Sequence, residues 1–117
     1  MDGTPVADRI VWCRAGARHR YGGALWADDD RIRLIGRDAG YGIEVSLAIP
    51  VDDIKQISLE DGRSEPEHGE RCIVLRLVES APLVIWVPGG SAPELEVIAA
   101  CIADAAHEAP TGPFALA

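Results

Sequence analysis

The residues best suited to chemistry form a basic stretch near the start of the chain, CRAGARHRYGG at residues 13–23. Arg14, Arg18, His19 and Arg20 lie here, and no acidic residue occurs between Arg9 and Ala27. A guanidinium group binds two phosphate oxygens at once, and histidine is the side chain that gains charge as the pH falls through about 6.5. The sequence therefore predicts a candidate anion or lipid-headgroup site at these four residues.

A plain solvated hairpin explains the same stretch, and this alternative stays open. The three acidic residues at 28–30 lie within reach of Arg20 across the predicted hairpin, so an ion pair within the chain accounts for the charge of Arg20 without a ligand. The whole chain of 117 residues has a formal net charge of -8. Nucleic acids and anionic membranes attract basic surfaces, so this charge excludes nucleic-acid binding as the expected function and leaves only a local anion site.

No other group of residues predicts catalysis, a metal or a cofactor. The adjacent acids at 28–30 cannot all converge on one ion, and no calcium-loop spacing follows them. The histidines are far apart, no serine lies in a nucleophile motif, and no glycine-rich nucleotide loop is present. Cys13, Cys72 and Cys101 lack metal-ligand spacing and are predicted to be reduced, buried thiols. We expect no enzyme activity, no metal and no cofactor.

The elements that position these residues are mostly short strands. Apolar and polar residues alternate with a period of two, as in GIEVSLAIP at residues 42–50, which is typical of half-buried antiparallel strands. Turn residues separate about seven such segments, and Gly22-Gly23 indicates a bulge or a close backbone contact. The last element, from Ala92 to about His107, has helical spacing, with a capping box at Ser91–Glu94 and an apolar face at Leu95, Ile98, Ala99, Ile102 and Ala105.

About seven strands followed by one amphipathic helix resemble the pleckstrin homology (PH) superfold. The segment GALWADDDRI at residues 23–32 is similar to the family's turn between its second and third strands, and residues 43–57 resemble the Pro-containing bend of bacterial PH-like and GRAM-like domains. Arg14 and residues 18–21 match the basic positions of lipid-binding members. The final helix lacks the tryptophan usual in eukaryotic members, since Trp12, Trp26 and Trp86 all fall on strands.

This resemblance implies a mainly β fold with one C-terminal α-helix: a β-sandwich or barrel of about seven antiparallel strands, capped at one end by the helix. It implies a single domain over residues 1–117, with its core at about 6–107 and a loose tail at 108–117. The loops at the open end are where such a fold places its contacts.

A second candidate surface follows from the alternation in the last strands. Trp86 and Val84 fall opposite Leu83 and Ile85, and Val74 and Ile35 are also counted as outward-facing. If contiguous, Trp86, Val84, Val74 and Ile35 form an apolar patch suited to a protein partner or to self-association. The alternative is that the helix or the N-terminal arm covers Trp86.

These observations predict a non-enzymatic PH-like interaction module that binds a protein or a second copy of itself. The alternative is a peripheral module that binds anionic phospholipid through Arg14, Arg18, His19 and Arg20. Because no leader pattern and no apolar run of membrane-spanning length occurs, a cytoplasmic location is expected.

Overall fold

The computed structural model describes residues 4–38, 40–60, 71–90, 92–106 and 110–111. Most of these residues lie in seven antiparallel strands and one helix. The strands are β1 (Ala7–Arg14), β2 (Tyr21–Ala27), β3 (Arg31–Asp38), β4 (Glu44–Pro50), β5 (Ile54–Glu60), β6 (Cys72–Leu77) and β7 (Leu83–Trp86). A 3-10 turn (Val51–Asp53) joins β4 to β5, and helix α1 (Ala92–Ala106) precedes a short β8 (Pro110–Thr111). The predicted fold class is confirmed.

The strands form one sheet in the order β4-β3-β2-β1-β7-β6-β5-β8. Strands β1 to β4 form one antiparallel meander and β5 to β7 a second, and the pairing of β1 with β7 joins them. The sheet does not close between β4 and β5. Pro50 ends β4, as predicted, and the 3-10 turn redirects the chain instead. The result agrees with a PH-like sandwich capped by a helix.

The main core lies between the inner face of this sheet and α1. The helix buries Leu95, Ile98 and Ile102, as its spacing predicts, and they pack with inward residues of the strands. Burying each of these side chains is worth about 1.5–3 kcal/mol. Ser91, the first residue of the predicted capping box, and His107 lie outside the described residues.

Two glycines let strands β2 and β3 approach Trp12 and each other. Gly23 lies opposite Gly36, and a Cβ added at Gly23 would lie 2.0 Å from the Ile35 carbonyl oxygen. The indole Nε1 of Trp12 donates a hydrogen bond to that same oxygen over 3.0 Å. A side chain at Gly36 would meet this nitrogen at 2.9 Å. The close backbone contact predicted for Gly22-Gly23 is confirmed at Gly23.

Strand β8 lies within the segment predicted as a loose tail. Pro110 and Thr111 pair in parallel with Ile57 and Ser58, so β8 extends the sheet beyond β5. At these two residues the backbone of the predicted tail pairs with the edge of β5. Residues 61–70 and the rest of 108–117 lie outside the described residues.

Candidate interaction surfaces

The β1–β2 loop is held against the end of β3 by a histidine–aspartate pair. The Nδ1 atom of His19 lies 2.5 Å from Oδ2 of Asp38, and the other carboxylate oxygen accepts a 2.7 Å hydrogen bond from the Gly40 amide. Burial would raise the pKa of Asp38, but hydrogen bonds from Gly40, His19 and Tyr41 outweigh it and lower this pKa. Asp38 is therefore a carboxylate at neutral pH, and it ties the β1–β2 loop to the β3–β4 loop.

The predicted basic residues make separate contacts and do not line one common pocket among the described residues. The Arg14 guanidinium donates to the Ala81 carbonyl oxygen over 3.2 Å, toward the β6–β7 turn. Arg20 turns back along its own loop and donates to the carbonyl oxygens of Ala17 and Arg18. The Arg18 side chain is exposed and makes no hydrogen bond or ion pair to the described part of the chain. Of the four, Arg18 is the one most open to a ligand.

Two acids of the β2–β3 turn pair with arginines of β3. Asp30 lies 3.4 Å from Arg31, and Asp28 lies 3.8 Å from Arg33. The Asp30–Arg31 pair is exposed and contributes little to stability, whereas the Arg33 side chain of the second pair is half-buried. Asp28 and Asp30 therefore have local partners on β3.

Apolar side chains stand exposed beside the basic loop. Tyr41 is 72% exposed and Ile43 is 58% exposed, both in the β3–β4 loop. The Tyr41 ring lies 5.6 Å from the His19 ring, centroid to centroid. Asp38, Tyr41 and Ile43 were not among the predicted site residues. The D-x-G spacing at residues 38–40, typical of an aspartate that caps its own turn, was the available signal.

The predicted apolar patch is not an open surface. Trp86, Val84 and Val74 are buried, and only Ile35 is exposed. The alternation places the first three on the outer face correctly, but they form a second buried cluster there with Cys13 and Cys72. The expectation of exposure is wrong for these three residues, because both faces of the central strands are covered. Their role as a protein interface stays a prediction.

The edge of β4 is the longest open strand edge in the described part of the chain. Strand β4 pairs with β3 on one side, and among the described residues no strand pairs with its other side. Glu44, Ser46, Ala48 and Pro50 are exposed along it. Two clefts flank the strand. One of about 390 Å³ includes Ile35, Gly36 and Val45, and one of about 310 Å³ includes Arg14, Leu47 and Leu77.

Within the described ranges, no three histidine, cysteine, aspartate or glutamate side chains are grouped so that they would hold a metal ion. No helix among those residues has both the length and the apolar character needed to cross a bilayer. No protein-family model matches the chain, and no curated protein is significantly similar to it.

Proposed function

We propose that this chain is a non-enzymatic, PH-like interaction module that associates with a second copy of itself through the edge of β4. The observation that carries the proposal is the seven-residue strand Glu44–Pro50, which among the described residues pairs only with β3 and is exposed at every second residue. The order of seven strands and a helix, and the gap between β4 and β5, support the PH-like assignment.

The composition of β4 favours pairing. Natural edge strands are commonly protected by lysines, inward charges, prolines or bulges. In EVSLAIP the one charged residue is Glu44, which already pairs with Arg37 over 3.2 Å, and the proline stands at the last position. The central residues from Val45 to Ile49 therefore present a backbone edge with no such protection.

A two-fold axis at Leu47 gives the longest overlap of two antiparallel copies. It places Ser46 opposite the partner's Ala48, and Glu44 opposite the partner's Pro50, so no like charges meet. Small side chains then face one another on the outer surface. On the inner side, Val45, Leu47 and Ile49 extend the apolar layer from one copy into the next.

Two double variants at the same positions test both the association and its register. Ser46→Lys/Ala48→Lys places lysine opposite lysine in both symmetric pairs, whereas Ser46→Lys/Ala48→Glu places lysine opposite glutamate. With a difference of about 1 kcal/mol for each of two pairs, the lysine–glutamate variant should dimerise roughly 30-fold more tightly. Sedimentation equilibrium at low salt measures both constants. A wild-type chain that stays monomeric at high concentration, or two variants with equal constants, would contradict the proposal.

A second candidate function is contact with an anionic phospholipid surface through the loop end. The exposed Arg18 lies on the same loop as His19, which holds the β3–β4 loop where Tyr41 and Ile43 are exposed. Tyrosine and isoleucine suit the headgroup boundary, and each basic residue near an anionic membrane contributes about 1 kcal/mol.

Vesicle flotation tests this second function. The wild type should float with vesicles that contain phosphatidylserine but not with phosphatidylcholine alone, and it should lose binding as salt rises. Arg18→Ala and Tyr41→Ala/Ile43→Ala should each weaken flotation, while Arg31→Ala, on the exposed β2–β3 side, serves as the matched control. Equal flotation of Arg18→Ala and wild type would exclude the basic loop.

A further inference from the structure

Hydrogen bonds at the two ends of β4 fix which of its backbone groups face the open edge. The Ile43 carbonyl oxygen accepts a 2.9 Å bond from the end of β3, and the Val51 amide donates a 3.0 Å bond to the turn before β3. Residues of an antiparallel strand bond to the same neighbour at every second position. Ser46 and Ala48 lie an odd number of positions from both residues, so their N–H and C=O groups point away from β3, where a second strand can bind them.

A cleft of about 310 Å³ opens beside the second half of this edge. Residues 47–50 of β4 form one side of it, and Asp53 and residues 77–80, at the end of β6 and in the turn after it, form the other. Among the described residues that line the cleft, none belongs to β3, so the cleft lies on the unpaired side of β4. Leu77 is half-buried and Val78 is 51% exposed, so the far wall offers apolar area that a partner can cover.

Ile43, just before β4, is an exposed apolar side chain on the side of the strand that faces the core. It stands two, four and six positions before Val45, Leu47 and Ile49, so its side chain takes the same direction as theirs. Ile49 is buried, and Val45 and Leu47 are half-buried, whereas Ile43 is 58% exposed. Covering its apolar area with a partner would be favourable, since burial of such area drives most protein association.

The pairing of β4 with a second β4 brings Ile43 to this cleft. The axis at Leu47 pairs the edge-facing residues of both strands, and one position past the strand end it places the partner's Ile43 opposite Val51. Directly opposed side chains lie about 5 Å apart on the same side of the two strands. Val51 begins the 3-10 turn, whose last residue, Asp53, accepts a 2.9 Å hydrogen bond from the Val78 amide. The partner's Ile43 therefore arrives within one turn of chain of Val78.

We propose that Ile43 of each copy inserts into the cleft of the other copy and packs against the partner's Leu77 and Val78. This inference rests on the proposed association through β4 and names the side chain that each copy contributes to the other. Two of the five large apolar side chains that are exposed in the described part of the chain, Ile43 and Val78, are then covered by one contact. The two-fold axis makes that contact twice in each dimer.

Crosslinking between two different single-cysteine variants tests the contact. Ile43→Cys and Val78→Cys are made separately in a Cys101→Ser chain, because Cys101 is partly exposed whereas the other two cysteines are buried. A short bis-maleimide should join a mixture of the two variants at least tenfold faster than it joins Ile43→Cys alone. The reason is that the two copies of residue 43 lie eight positions apart along the paired strands, about 26 Å, and only the mixture brings position 43 to position 78.

A cysteine at another exposed apolar position is the matched control. Val97, on α1, is 61% exposed and lies outside the cleft. A mixture of Ile43→Cys with Val97→Cys should therefore crosslink only at the slow rate. In sedimentation equilibrium, Ile43→Ala should raise the dimer dissociation constant at least tenfold, while Val97→Ala should leave it unchanged and circular dichroism should match wild type for both.

The outcomes separate this contact from the pairing on which it rests. A wild type that stays monomeric at high concentration overturns the association through β4 and the Ile43 contact together. A wild-type dimer in which the mixture of Ile43→Cys and Val78→Cys crosslinks no faster than the Val97→Cys control overturns the Ile43 contact alone. So does an Ile43→Ala variant that keeps the wild-type dissociation constant.

Discussion

Gly23→Ala should be among the most damaging small substitutions in this chain. The added Cβ would lie 2.0 Å from the Ile35 carbonyl oxygen and 2.7 Å from the Gly36 Cα. Both are backbone atoms of the neighbouring strand, so no side chain can rotate away to make room. Relief requires β2 and β3 to separate at the point where the Ile35 oxygen also accepts the Trp12 indole.

The size of the effect follows from these distances. Ordinary contact begins at 3.4 Å, so the Cβ and the Ile35 oxygen, which start at 2.0 Å, would have to move apart by a further 1.4 Å. Overpacking of a core costs about 1–3 kcal/mol, and a clash of backbone with backbone belongs at the upper end of that range. A loss of about 3 kcal/mol in a domain of this size lowers Tm by roughly 12 °C.

Thermal and urea unfolding of matched variants measure this effect. Gly22→Ala is the control, because its Cβ would meet nothing closer than the Ile10 carbonyl oxygen at 3.9 Å. We expect Gly22→Ala to stay within about 0.5 kcal/mol of wild type or to gain slightly, since alanine restricts the unfolded chain. Equal stability of Gly23→Ala and Gly22→Ala would refute the close approach of β2 and β3.

Two further predictions concern named hydrogen bonds. Because the pKa of Asp38 is lowered in the folded state, its contribution is present above the unfolded value of about 3.9 and is lost as the pH falls through the folded pKa. Asp38→Asn should therefore have a lower free energy of unfolding in urea than wild type at pH 7, and this difference should shrink below about pH 4. A difference in unfolding free energy that does not change with pH would contradict the role of the Asp38 charge. Trp12→Phe should lose about 1 kcal/mol more than Trp26→Phe in the same assay, because Trp12 Nε1 donates to the Ile35 carbonyl oxygen, whereas the buried Trp26 Nε1 has no hydrogen-bond partner among the described residues. Equal losses would contradict this.

The sequence was sufficient for features that depend on local periodicity. Alternation assigned Leu83 and Ile85 to one face of β7 and Val84 and Trp86 to the other, as observed. Helical spacing identified the buried face of α1. Both succeed because a side chain's direction is fixed by its position in the strand or helix, whatever lies beyond it.

The alternation of residues could not predict what packs against each face of the sheet. The outward direction predicted for Trp86 was right and its predicted exposure was wrong, because alternation fixes the direction of a side chain and not its burial. The His19–Asp38 pair was also out of reach, since it joins residues 19 positions apart across two loops. Arg14 and Arg18 are near in sequence, yet Arg14 turns to the Ala81 carbonyl oxygen while Arg18 stays exposed.

The burial of both faces of the central strands concentrates the candidate contacts at the periphery of the described sheet. The β4 edge binds through backbone hydrogen bonds and apolar area, which salt affects little, whereas the loop end around Arg18 depends on charge, which salt screens. Each proposal therefore predicts a different salt response from the same purified protein. Association that persists at high salt supports β4, and vesicle binding that disappears there supports the loop end.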